Sequence, residues 1–157
     1  MKRTCGRNIA WSIALSPAAL LVGAVGGQIS SLFFVVSIHQ ELGFASSFSP
    51  AAPGSLEQFL DVVVIAPVVE TIFLALFVKA LSYTSAALLT PPLAGAFFAF
   101  YHLVINPHAF FAAFGWFWIF AIVFIRARES GLWCGLASAA LIHGLTNFYV
   151  FTLRNFV

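Results

Sequence analysis

Val62-Val63-Val64-Ile65-Ala66-Pro67-Val68-Val69-Glu70-Thr71-Ile72-Phe73-Leu74-Ala75-Leu76-Phe77 reads as the middle of a membrane-spanning helix that carries a single acid. An ionisable side chain at mid-bilayer depth costs at least about 2.5–3.5 kcal/mol, so it faces a cavity or a partner. Pro67 lies three residues before Glu70. Lacking a backbone N–H, it cannot satisfy the carbonyl of Val63 in an α-helical register. The opened turn leaves room for water or for a neighbouring polar group. Two readings follow: a chemical site, or a Glu paired with a basic residue to hold helices together.

The rest of the composition sets the solvent. The chain has 157 residues, 62% of them hydrophobic and 8% charged, with a mean hydropathy of +1.03. A water-soluble domain of this length could not bury that much apolar surface. The expected fold is all-α, a polytopic membrane helix bundle in one domain covering residues 1–157. Its lipid bilayer is a partner, and nothing in the charge pattern points to nucleic acid.

Five spans are expected, at about 9–34, 57–80, 84–105, 109–126 and 131–151. Ser55 followed by Gln58 gives a capping-box pattern at the start of the second. No Asp, Glu, Lys or Arg occurs between Lys79 and Arg126, so that run holds two spans, with Asn106-Pro107-His108 as the turn between them. Thr90-Pro91-Pro92 can start a helix, and the depth of His102 requires a break or a strong tilt there. Two ridges of small residues are candidates for close helix packing: Ala19, Gly23 and Gly27, and Gly131, Gly135 and Ala139 leading to His143 and Asn147. The aromatic residues of 110–124 read mainly as packing, lipid-facing or groove-lining. Cys5 and Cys134 lie far apart in the sequence and resemble neither a disulfide framework nor a metal site. Lys2, Arg3, Arg7, Lys79, Arg126 and Arg128 fall on one side of the five spans. By the positive-inside rule the N-terminus is then cytoplasmic and the C-terminus extracytoplasmic, in a plasma membrane of the bacterial inner-membrane kind.

Besides Glu70, the polar residues with functional potential inside the spans are His102, His143 and Asn147. One acid, two imidazoles and one amide on three apolar helices are each costly in lipid, and a shared cavity is the least costly arrangement. The depths along the helices place it near mid-bilayer. The polar loop at 39–56, with Asn106 and His108, argues for a mouth on the extracytoplasmic side.

Glu70 on a proline-bearing helix, Phe98-x-x-x-His102 and His143-x-x-x-Asn147 together resemble the CAAX protease and bacteriocin-processing (CPBP, or Abi) family of glutamate-type intramembrane endopeptidases. The resemblance covers residues 66–147. It departs from the family's Glu-Glu-x-x-x-Arg motif at two positions, where Thr71 and Ala75 stand. It implies hydrolysis of a membrane-anchored protein or peptide, prenylated or carrying a C-terminal sorting tail.

The residues support the same chemistry directly. Peptide hydrolysis needs a base for water and donors for the tetrahedral oxyanion. Glu70 is the expected base, His102 and His143 position water or stabilise charge, and Asn147 donates to the oxyanion. That scheme needs no cofactor. Zinc held by Glu70, His102 and His143 is the minority alternative. Outside proteolysis stand an inactive immunity-type or partner-binding membrane protein and a small proton or solute pathway.

Overall fold

The structure is a computed structural model that describes residues 4–33, 54–83, 87–105 and 109–156. Within them the chain forms five helices: α1 (Cys5–Phe33), α2 (Leu56–Leu81), α3 (Thr90–Ile105), α4 (Phe110–Ala127) and α5 (Leu132–Phe156). Four of them, α1, α2, α4 and α5, are long and apolar enough to cross a membrane. Large apolar side chains such as Ile13, Leu21, Phe73, Leu76 and Phe100 point outward, which suits lipid as the surrounding solvent. The protein is a helical membrane bundle. The expected loop over 39–53 and the turn at Asn106-Pro107-His108 lie outside the described residues.

α4 is the central helix. Phe117, Phe120 and Phe124 are almost fully buried and form the core with Leu74, Val78, Phe98 and Ile142. Much of the aromatic run therefore faces inward, while Trp118 remains exposed. α1 crosses α4 where Gly23 lies under the Trp116 ring and Gly26 meets the backbone of Phe111 and Ala112. Trp116 Nε1 donates to the Ala19 carbonyl at 2.9 Å across the same crossing. The ridge that packs is therefore Ala19, Gly23 and Gly26. Gly27 has open space around its Cα, because the contact follows the 3.6-residue turn and not a strict four-residue step.

The third span is shorter than expected. A 3₁₀ turn at Ala87–Leu89 precedes α3, which begins at Thr90 and not near residue 84. Pro91 and Pro92 occupy its first turn, where missing N–H groups cost nothing. Proline also disfavours helical backbone in the residue before it, so the helix does not extend further back. At 16 residues, or about 24 Å, α3 falls short of a hydrocarbon core of about 30 Å.

Ser55 caps α2 as its sequence indicates, accepting from the Gln58 N–H at 3.2 Å, while Gln58 Oε1 reaches back to the Gly54 N–H at 2.7 Å. α2 runs antiparallel to α5, with Phe59 against Phe148 and Phe151 near one end. α1 runs parallel to α5. Asn8 Nδ2 donates to Ser130 Oγ at 3.2 Å, and Cys5 is disulfide-bonded to Cys134, with their Cα atoms 5.6 Å apart. This pairing corrects the sequence reading: it joins the start of α1 to the start of α5, and only the parallel packing of those helices reveals it. Arg7, Lys79, Arg126 and Arg128 consequently gather at one end of the bundle, and Arg154 falls in the last turn of α5 at the other.

The tie has a simple test. With a protease site inserted between α1 and α2 and cut after purification, the two pieces should migrate together without reductant and separately with it. Separation without reductant would show that Cys5 and Cys134 are not joined.

Candidate functional site

Glu70 projects from α2 one turn past Pro67, and His143 from the middle of α5. The two meet, with His143 Nε2 3.4 Å from Glu70 Oε2. The partner of the half-buried acid is thus an imidazole, and not the lysine or arginine that a helix-gluing pair would use. His143 is almost wholly enclosed, while the Glu70 side chain keeps 23% of its surface exposed. The Glu70 side chain thus meets the imidazole on one side without being fully enclosed by the bundle.

Aromatic rings hold the imidazole. His143 stacks on Phe120 with centroids 4.6 Å apart and meets the edge of Phe117 at 5.3 Å. Phe117 and Phe120 are neighbours on one face of α4, at i and i+3. Phe117 also stacks on Phe98 at 3.9 Å and touches the His102 ring at 5.6 Å, so one phenyl ring contacts both histidines. His143 Nδ1 and Thr71 Oγ1 are buried with no hydrogen-bond partner among the described residues.

His102 sits on α3 with Nδ1 2.8 Å from the Phe98 carbonyl, four residues back. A carbonyl can only accept, so in the neutral ring Nδ1 carries the proton and Nε2 is the basic nitrogen. The Phe98-x-x-x-His102 spacing thus fixes the orientation and tautomer of an imidazole. Among the described residues no group of three or more His, Cys, Asp or Glu side chains is placed to hold a metal ion.

Asn147 lies one turn beyond His143 on the same face of α5, and it serves a different group. Its Nδ2 donates to the Val62 carbonyl at 2.8 Å. That carbonyl lies in a π-helical segment, Leu60–Ile65, in which the Ala66 N–H bonds back to Asp61. The π register moves the proline's effect by one residue: the position that would serve Val62 is Pro67, which has no N–H. The sequence placed the unsatisfied carbonyl at Val63. In the structure the side-chain donor goes to Val62, while Gly144 brings α5 close to Val63: a Cβ there would stand 3.0 Å from its carbonyl oxygen. An open apolar groove of about 520 Å³ runs alongside, lined by Val64, Pro67, Val68, Leu141, Gly144 and Phe148 among others.

The structure therefore pairs Glu70 with His143, joins His102 to them through Phe117, and sets Asn147 against the backbone of α2. Sequence reasoning missed Phe117 and Phe120 as the walls around the imidazoles. Their i, i+3 spacing within the aromatic run was the available signal. Thr71, next to Glu70, is buried in the core. Comparison with protein-family models, curated proteins and solved structures finds no match for this chain.

Proposed function

We propose that the chain is a glutamate-type intramembrane endopeptidase that hydrolyses a peptide bond of a membrane-anchored protein, with Glu70 activating water. The observation that carries this reading is the contact between Glu70 and His143 inside a bundle of apolar helices. A carboxylate set against a buried imidazole and not fully enclosed can take a proton from water and return it. In the reaction the water oxygen bonds to the scissile carbonyl carbon while its proton passes to Glu70. The tetrahedral intermediate then expels the amine as Glu70 gives that proton to the leaving nitrogen. His143 keeps the carboxylate in place and, with His102, provides the polar side chains next to the developing charge. The substrate class, a prenylated protein or one with a C-terminal membrane tail, rests on the resemblance to the CPBP endopeptidases.

Direct attack by water has a specific signature. Reconstituted protein given a membrane-anchored peptide in water enriched in ¹⁸O should place one ¹⁸O atom in the new carboxyl terminus. Hydroxylamine should trap no acyl-enzyme. An enzyme-linked acyl species would replace the glutamate scheme with a nucleophilic one, and absence of cleavage across prenylated and tailed substrates would remove the peptidase reading.

One observation favours a second reading. The Asn147 amide is engaged with the helix backbone and Thr71 replaces an acid, as in a partner-binding membrane protein that keeps the bundle without the chemistry. Binding of such a partner would tolerate Glu70→Gln.

A further inference from the structure

α1 and α2 each contain a proline within the helix, and each leaves a carbonyl that the backbone cannot serve. In α1 the remedy is local. Pro17 deprives the Ile13 carbonyl of its usual partner, and Ser16 Oγ donates to that carbonyl at 2.8 Å. In α2 the remedy comes from another helix. The Ala66 N–H is engaged by Asp61, Pro67 has none, and the Asn147 amide of α5 reaches the Val62 carbonyl at 2.8 Å. By contrast, Asn155, two turns further along α5, bonds within its own helix to Phe151. An asparagine in this helix has a local carbonyl within reach, and Asn147 bonds across to α2.

The register it meets matters for the acid. A π turn takes up one residue more than an α turn, so reverting Leu60–Ile65 to α geometry would rotate the rest of α2 by roughly 100° relative to its start. Glu70 would then face a different neighbour than His143.

We infer that Asn147 is a positioning residue: its amide replaces the N–H that Pro67 lacks and holds the π-helical segment in the register that sets Glu70 against His143. What Asn147 does for turnover rests on the peptidase reading of that pair; what it does for the helix does not. The role differs from that of an oxyanion donor, which would act on substrate and leave the resting helix unchanged.

The two roles separate in a cycle of Asn147→Ala and Pro67→Ala, followed by thermal unfolding in detergent and by ¹⁵N spectra of histidine-labelled protein. Pro67→Ala restores an N–H, so the Val62 carbonyl has a backbone partner in either register. Asn147→Ala should lower the unfolding midpoint by about 2–6 °C in the unaltered background and by much less beside Pro67→Ala. It should also move the His143 ring-nitrogen signals in the direction that Glu70→Gln moves them. Equal losses in both backgrounds, or none in either, would overturn the clamp. An unmoved His143 signal would overturn its hold on Glu70, even with the thermal coupling present. Should Asn147→Ala fail to fold, a folded double variant beside it shows the same coupling, and failure of both overturns it. Both measurements are made without substrate, so a chain that cleaves nothing would remove the proposed function and still decide this inference.

Discussion

Glu70→Gln is expected to insert and fold as the unaltered chain does and to lose proteolysis by about 10²–10⁴-fold or more. The substitution keeps the size of the side chain and its ability to meet His143 Nε2. It removes the capacity to accept a proton from water at neutral pH. His143→Gln should cost a comparable factor, because the base and the group that orients it work as a unit and their losses do not add. Asp61→Asn is the control. Asp61 enters the structure through its backbone carbonyl, which accepts from the Ala66 N–H, and the substitution should leave most of the activity. Turnover rates in proteoliposomes decide the matter. A Glu70→Gln protein that cleaves at the unaltered rate would exclude Glu70 as the base.

Gly95→Ala is expected to destabilise the bundle and to reduce activity with it. A Cβ at this position would stand 2.6 Å from the Phe114 carbonyl oxygen and 3.3 Å from Trp118 Cβ. The nearest of these is backbone, so no side chain can swing aside, and α3 has to move off α4. Overpacking of this kind costs about 1–3 kcal/mol. The same shift carries His102, two turns further along α3, away from Phe117, so activity should fall together with stability. Gly27→Ala is the matched control: nothing stands within 4 Å of its Cβ position, and replacing a mid-helix glycine by alanine there should stabilise slightly. Unfolding midpoints in detergent measure both. Gly95→Ala melting with the unaltered chain would mean that the α3–α4 crossing is looser than described.

Much of this bundle could be read from its residues, and what could not has physical causes. Hydropathy and punctuation pointed to the four long apolar helices, while the expected third span is a shorter helix. Ser55 with Gln58 marked the start of α2, and Thr90-Pro91-Pro92 marked the break that shortens α3. The meeting of Glu70 with His143 followed from the cost of leaving either group in lipid. The target of Asn147 did not follow, because it depends on a π turn that becomes visible only once α5 lies against α2. The small ridge of α1 was misplaced by one residue, Gly27 for Gly26, since a four-residue step drifts from a 3.6-residue helix. The walls of the imidazole site were hidden in plain view, because 19 phenylalanines make any one of them uninformative until the packing selects Phe117 and Phe120.

The bond between Cys5 and Cys134 also links the bundle to the compartment around it. The two sulfurs lie at the end that gathers Arg7, Lys79, Arg126 and Arg128. If that end faces the cytoplasm, glutathione and thioredoxin keep the thiols reduced; facing an oxidising space, the same two sulfurs stay joined. The oxidation state of this one pair in intact cells therefore records which way the chain was threaded through its membrane. In the reducing case α1 is held by the Trp116 hydrogen bond and the Gly23 and Gly26 crossings without a covalent tie.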